Sequence, residues 1–443
     1  MKYVNVILFF AIIFAGLISY FIGPVQKISY EEKRKLAAFP EFEMDKYLKG
    51  HFTDSIDEYM DDHFIFRKFW IDAASKIRWA RGIHPKNQEK VFRSRGNLAK
   101  NPDAGLPQSS DTVPAYLDIE AEYSGDMLII DGSVFPMGGG SPAMGKAFAR
   151  MVNDYAEKFK GKVRIFSAVA PLSSAFIPVE KYRYLNGQNK RTLQAIGDNL
   201  NGAYFCDVFK YLNDHSSEKL FFSTDHHWTA NGAFHAYQAF CSAAGFKAVQ
   251  REEMDKKTKY GFLGTLYERT RDQSVRNNAD TFVYYIPKTS STAVRYDAYG
   301  YKPIKSNTFC HGSRGGMSYS TFLCGDNPLM KITTNNKNGK KVVVIKNSMG
   351  NAFSVYLISH YEEVWVMDFR YAKQNLAELI EVNEIDDVVF AIGMYGAMSS
   401  GTIGMMRRLL TQTGSAPPPA PVPSEPDTSA VVPANVEIKD TLE

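Results

Sequence analysis

Two short stretches of this sequence combine reactive side chains with spacings that chemistry uses. One is Thr224-Asp225-His226-His227-Trp228-Thr229, and the other is Lys346-Asn347-Ser348-Met349-Gly350-Asn351. A serine hydroxyl is a poor nucleophile until a base takes its proton, and the imidazole that serves as base needs a carboxylate to fix its tautomer and stabilise its charge. In an extended or turning segment residues i and i+2 share a face, so Asp225 and His227 fall on one side and His226 points elsewhere. Histidine is scarce, nine in 443 residues, which gives two adjacent ones beside Asp and Trp their weight. Each of them reads equally as a structural histidine satisfied by its neighbours.

Ser348 needs an element that presents it. The β-branched run Lys341-Val342-Val343-Val344-Ile345 leads into it, and a helical pattern continues to about Tyr361. A serine at the carboxyl end of a parallel strand, just before a helix, sits where α/β proteins place ligands. The first turn of that helix offers amide hydrogens and a partial positive potential, which suit an oxyanion forming on a substrate carbonyl. Gly350 allows close approach of backbone and substrate. Taken alone, Ser348 also reads as an ordinary helix N-cap.

The rest of the chain supplies the alternation such a strand requires. Helical patterns over Ala147–Phe159, Thr192–Leu200 and Ala230–Ala244 are interleaved with apolar runs at Met127–Ile130, Val163–Val169, Ala203–Val208, Val364–Met367 and Asp387–Ile392. Short apolar strands separated by helices predict an α/β fold with a mostly parallel sheet flanked by helices. Glu31–Gly82 reads as a polar helical stretch, and Asn101–Pro114 as a loop rich in Pro, Ser, Asp and Gly.

Composition is that of a globular protein, 44% apolar and 23% charged. A net charge of only +4 leaves no electrostatic footprint for nucleic acid. The ends depart from the average. Val4–Gly23 is twenty residues without a charge, enough for a helix to cross the hydrocarbon of a bilayer, and it ends without an A-x-A cleavage site. We read it as a retained transmembrane anchor, a cleaved signal sequence being the competing reading. Gly414–Glu443 holds seven of the twenty prolines and no aromatic residue, so it reads as a disordered tail. The organisation expected is therefore an anchor over 1–26, a helical arm and linker over 27–115, a catalytic domain over 116–413 and a tail over 414–443. Of the four cysteines, Cys310 and Cys324 would close a short loop, and with Cys206 and Cys241 the count permits two disulfides in an exported domain. No C-x-x-C pair is present, so no zinc site is expected.

The motif Thr224–Thr229, followed by Gly232-Ala233 and Tyr237, resembles the DHHW family, SGNH-hydrolase-like proteins of bacterial envelopes that are similar to alginate O-acetylation proteins. The likeness extends to Glu32–Pro40, Asp62-His63-Phe64-Ile65-Phe66-Arg67, Ala170-Pro171, Phe262-Leu263-Gly264-Thr265, Gly325-Asp326-Asn327-Pro328 and Asp368-Phe369-Arg370-Tyr371. It implies Ser348 as nucleophile, His227 as general base and Asp225 as the carboxylate that orients it, with the Asp-x-His ahead of the serine in the chain. One departure stands out: Asn347 precedes the serine where the family leads one to expect aspartate. Gly325 and Asn327 are candidates for oxyanion or substrate contacts, with a turn as the plain alternative. Arg370 and Tyr371 read either as contacts to a polymer or as ties for Asp368.

The resemblance further implies acyl transfer to an exported or cell-surface polysaccharide, in the cell envelope and outside the cytoplasm. Acetyl would come from a membrane-bound O-acyltransferase partner, and neither a cofactor nor a metal would take part. Hydrolysis of acetyl esters by the same triad, and a non-enzymatic polysaccharide-binding scaffold, are the alternatives. A metal-dependent phosphoesterase built on Asp225-His226-His227 would need further Asp and His ligands upstream, and no such cluster is seen. Trp228 stands where a palmitoyltransferase motif would require cysteine.

Overall fold

The computed structural model describes residues 2–22, 27–29, 34–64, 66–82, 89–92, 126–138, 140–299, 303–415 and 417. The body is organised around one eight-stranded sheet. Numbered in chain order within that sheet, its strands are β1 (Arg164–Ala170), β2 (Tyr204–Phe205), β3 (Ser291–Tyr296), β4 (Ile304–Ser306), β5 (Leu329–Thr334), β6 (Lys341–Lys346), β7 (Glu363–Asp368) and β8 (Asp387–Gly393). Their spatial order is β4-β3-β5-β7-β6-β8-β1-β2.

β6 lies near the centre because its sequence permits nothing else. Val342 to Ile345 are wholly buried on both faces, as the continuous apolar run of a central parallel strand must be. Val342 and Val344 pack on one face with the Ala230–Ala244 and Met349–Leu357 helices. Val343 and Ile345 pack on the other with Phe148, Ile196, Leu379 and Met406, from the Pro142–Lys158, Arg183–Gly197, Leu376–Asn383 and Ser400–Arg408 helices. This is the helix-covered α/β arrangement.

The sheet is mixed, which corrects the expectation of a mostly parallel one. The pairings β7–β6, β6–β8, β8–β1 and β1–β2 are parallel. Beyond β7, the pairings β7–β5, β5–β3 and β3–β4 are antiparallel. β3 and β4 are joined by the short segment 297–303, fewer residues than a parallel crossover needs, and they run antiparallel. β3 alternates and buries only Ala293, the pattern of a strand with one wet face. A separate antiparallel sheet joins Glu89–Phe92, Met127–Ile130 and Ser133–Pro136, so the Met127 run is a strand outside the main sheet.

Lys2–Ile22 is helical. Its side chains are described for residues 3–11, 13 and 14, and among the described residues no helix is long and apolar enough to cross a membrane. The arm folds as helices Met44–Leu48, His51–His63 and Arg67–Arg81. It meets the body where Asp72 pairs with Arg271 and Arg276, at 3.5 and 3.6 Å. Cys310 and Cys324 form a disulfide, while Cys206 and Cys241 are free and buried. The loop 101–114 and the tail beyond residue 417 lie outside the described residues.

Truncating the central strand tests this core. Ile345→Ala should cost about 2–5 kcal/mol, the range for emptying a well-packed aliphatic site, read as a lower denaturant midpoint with unchanged slope.

Candidate active site

Parallel strands end together, so β6, β7, β8 and β1 deliver their following residues to one edge of the sheet. Ser348 follows β6, Arg370 follows β7, Gly393 ends β8 and Pro171 follows β1. The Asp225–His227 loop reaches this edge from the amino end of the Ala230–Ala244 helix, which Thr229 caps by accepting from the Gly232 amide at 3.3 Å.

Asp225 is 2% exposed, and a buried carboxylate must be hydrogen-bonded. It accepts four bonds. Oδ1 takes the His227 Nδ1 proton at 2.5 Å and the His227 amide at 3.0 Å. Oδ2 takes the Thr265 amide at 2.9 Å and the Thr265 hydroxyl at 3.1 Å. Gly264 is required just behind, since a Cβ there would overlap the Asp225 carboxylate. Burial raises the Asp225 carboxyl, but the neighbouring His227 and His226 and the hydrogen bonds outweigh it and hold it well below the usual range.

An ionised carboxylate only accepts, so Nδ1 of His227 is the donor, and in the neutral imidazole Nε2 carries the lone pair. Nε2 is buried with no hydrogen-bond partner. The structure therefore contains no bond between His227 and the Ser348 hydroxyl. Two aromatic residues bring their segments together instead. The Trp228 indole donates to the Met349 carbonyl at 2.9 Å. The Tyr319 ring stacks on His227 at 3.7 Å and 9°, and its hydroxyl donates to the Ser348 carbonyl at 3.1 Å.

His226 also has a part. The single Thr265 hydroxyl proton goes to Asp225, so that oxygen accepts from His226 Nδ1, at 2.6 Å. Asp225, His226 and His227 form a group whose potential ligand atoms lie within 4.8 Å of one another. The lone pairs a cation would need on Asp225 are already taken by four donors, so the geometry favours a base held by its carboxylate.

Ser348 is not the helix cap. Its backbone is already helical (φ −56°, ψ −27°) and its side chain takes no capping bond. Asn347 does that work: its Oδ1 accepts from the Met349 and Gly393 amides, each at 3.2 Å. The first turn is also less open than expected. Besides Met349, the Gly350 amide donates to the Asn347 carbonyl and the Asn351 amide to the Ser348 carbonyl, so none of these three is spare.

The remaining sequence candidates divide. The Gly325 amide donates to the Phe322 carbonyl, and the Asn327 carboxamide donates to the Leu323 and Gly325 carbonyls at 2.8 and 3.2 Å. Both hold a turn. Arg370 ties Asp368 through two bonds, at 2.9 and 2.7 Å, and its guanidinium lies over the Tyr371 ring. The residue between the two turn candidates, Asp326, was not singled out in the sequence. It pairs with Lys346 at 2.9 Å and Arg370 at 3.0 Å, and accepts from Asn351 at 2.9 Å. Lys346 also meets Asp368 at 2.7 Å. Two cations and two carboxylates thus meet beside the Ser348 turn, Lys346, Arg370 and Asp368 buried and Asp326 one-fifth exposed. The signal for it was the lysine ending an otherwise apolar buried strand, which demands a buried partner. Burial raises the Asp326 carboxyl, yet Lys346 and Arg370 outweigh it and hold it well below the usual range.

Two outcomes follow. The short His227–Asp225 bond should give a far-downfield, exchange-protected proton in NMR, lost in Asp225→Asn and in Gly264→Ala with circular dichroism unchanged. A carboxyl held low when folded contributes stability above the unfolded carboxyl range of about 4 and loses it as pH falls towards the folded value. The thermal midpoint should therefore drop between about pH 5 and 2. Asp326→Asn should be less stable at neutral pH by about 3 kcal/mol, the lower end for breaking a buried pair, since that carboxylate is one-fifth exposed. The same variant should show a shallower acid drop.

The fold has relatives among known proteins. A crystal structure of a DHHW family protein from Eubacterium siraeum DSM 15702 matches with TM-score 0.60 and 32% identity, over 65% of this chain and 96% of that one. Bacillus cereus PatB1, solved with a sulfonyl adduct, matches with TM-score 0.52 and 17% identity, over 63% and 96%, a likeness of fold. The O-acetyltransferase domain of Pseudomonas putida AlgJ aligns at TM-score 0.32 and 14% identity, over 64% and 96%, too distant to add to the fold. No curated protein sequence matches. The DHHW protein family model matches residues 95–367, more than half of the sequence, and the chain belongs to the DHHW family.

Proposed function

We propose that this protein is a serine-dependent O-acetyltransferase acting on an exported or cell-surface polysaccharide. The observation that carries the reading is the buried Asp225–His227 pair, its Nε2 unbonded, clamped through Trp228 and Tyr319 to the turn that bears Ser348. In this reading His227 Nε2 takes the Ser348 proton as Oγ attacks the acetyl carbonyl, and Asp225 stabilises the imidazolium. The proton then passes to the departing donor group, leaving acetyl-Ser348. A sugar hydroxyl, deprotonated by the same imidazole, attacks in turn. The acetyl–Oγ bond breaks, the imidazolium returns its proton to Ser348 Oγ, and the sugar carries the acetyl away. Water in place of sugar gives hydrolysis, so an acetyl esterase is the same machine with a different acceptor. The missing His227–Ser348 hydrogen bond suits a site whose catalytic contacts tighten when substrate binds.

The setting is part of the proposal. A disulfide at Cys310–Cys324 fits an oxidising compartment, and twenty uncharged residues at Val4–Gly23 fit an anchor that keeps the body beside the membrane in the cell envelope. Acetyl-CoA is absent outside the cytoplasm, so the acetyl group has to be passed across, in keeping with the membrane-bound O-acyltransferase partner that the family resemblance implies.

The test incubates the full chain in detergent with a chromogenic acetyl ester, with and without oligosaccharide, and follows both products. Ser348→Ala should lower acetyl release and transfer by a factor on the order of 10⁶. Mass spectrometry of the wild type should find one acetyl group on the Ser348 peptide. Full activity in Ser348→Ala would sink the serine reading, and activity lost to a chelator in the wild type would turn attention to a metal. Oligosaccharide binding without acetyl-Ser348 would favour a scaffold.

A further inference from the structure

Tyr319 belongs to no motif, yet it touches both halves of the site. Its ring lies flat on the His227 imidazole at 3.7 Å and 9°. Its hydroxyl donates to the Ser348 carbonyl at 3.1 Å and reaches the Met349 carbonyl at 3.4 Å. The His226 ring also meets that imidazole, its centre 3.8 Å from that of His227 and its plane tilted by 38°. Of these two ring neighbours, Tyr319 is the one bonded to the backbone of the serine turn. Burial, with the nearby Asp225 and Asp326 charges, raises the phenol well above its ordinary value, so it stays a donor.

Tyr319 rides on the one-turn-and-more 3₁₀ segment Gly315–Thr321, inside the loop that Cys310–Cys324 closes. The end of this loop is held in an uncommon conformation. Leu323 and Cys324, neither of them glycine, have φ of 56°, and Gly325 follows at 95°. Successive left-handed residues persist only where surrounding structure over-determines them, and the disulfide is attached at the second of the three.

We propose that Tyr319 is the positioning residue that locks the His227 imidazole to the Ser348 turn, and that the Cys310–Cys324 disulfide keeps it there. The proposal rests on the serine acyl-transfer reading. A stacked ring fixes the rotation of the imidazole about its Asp225 bond, which that single bond leaves free, and so aims Nε2. Small misplacements of a base are expensive in rate and cheap in binding.

The experiment measures kcat and KM for acetyl release by the full chain in Tyr319→Phe, Tyr319→Leu and the double variant Cys310→Ser/Cys324→Ser, with labelling of Ser348 by a sulfonyl fluoride as a readout of serine reactivity. Tyr319→Leu should lose about 10–100-fold in kcat and in labelling rate, with KM within about twofold. Tyr319→Phe keeps the ring stack but loses the bond to the Ser348 carbonyl, so it should fall between wild type and Tyr319→Leu, as should the double cysteine variant. Wild-type kcat in Tyr319→Leu, or a change confined to KM, would overturn the positioning role. Wild-type kcat in the double cysteine variant would overturn the part given to the disulfide. Should Tyr319→Leu not fold, the wild-type NMR spectrum decides. His227 ring protons, assigned with His227→Gln, must be shifted upfield by the Tyr319 ring, and their absence there refutes the stack. Full activity in Ser348→Ala strikes the underlying reading instead, and no Tyr319 result can mimic that.

Discussion

A carboxylate taken out of water must find its hydrogen bonds inside the protein, and much of this site follows from how Asp225 finds four. Two come from His227, which forces the tight Asp-x-His turn. Two come from Thr265, which brings in a segment forty residues later and demands glycine at 264 for room. The loop carrying Asp225 is pinned by a second buried carboxylate. Asp280 accepts from the Ser223 and Thr224 amides at 3.0 and 2.8 Å and from the Thr224 hydroxyl at 2.8 Å. That hydroxyl in turn accepts from the Gly264 amide at 3.1 Å. Each satisfied acceptor fixes the next donor, so the imidazole ends up with one tautomer and one free nitrogen.

The serine half obeys the same rule with charges. Lys346 ends a strand whose four interior residues are apolar, and its ammonium is buried only because Asp326 and Asp368 meet it. Such a cluster contributes little net stability once desolvation is counted, but losing any member leaves a charge stranded. Its effect is to hold the ends of β6 and β7 and the first turn after Ser348 in one arrangement. Asn347, the departure from the family pattern, fits this. Its side-chain oxygen accepts two amide protons, as a carboxylate would, without adding a further charge beside four that already balance.

Much of the fold was legible where burial is uniform. The run Lys341–Ile345 and the strands at Val364 and Asp387 stand out because a strand covered on both faces must be apolar at every position. The helix Ala230–Ala244 has the bounds its sequence suggested, because Thr229 caps one end and a left-handed Gly245 stops the other. Strands with one wet face were not legible. Asp255–Phe262 is a lysine-rich exposed strand whose last residue alone is buried, and β3 mixes Ser, Thr and Arg with a single buried Ala. Their identity depends on the partner they pair with, so neither was read as a strand.

Within the site, residue types and local spacing marked Asp225, His227 and Ser348 as candidates, because a base, its carboxylate and a strand-end serine leave marks in a few contiguous residues. The family resemblance added Gly264-Thr265 and Gly325–Pro328 as segments without saying what they did. Only the tertiary structure decided that Thr265 bonds Asp225, that Asp326 and not its neighbours pairs with Lys346 and Arg370, and that Asn347 caps the helix in place of Ser348. It alone produced Tyr319. These assignments join residues tens to more than a hundred positions apart, and a hydrogen bond or a ring stack across such a distance is set by how the chain packs. A local pattern records which groups a segment carries; which partners satisfy them is settled only when burial removes water as the alternative.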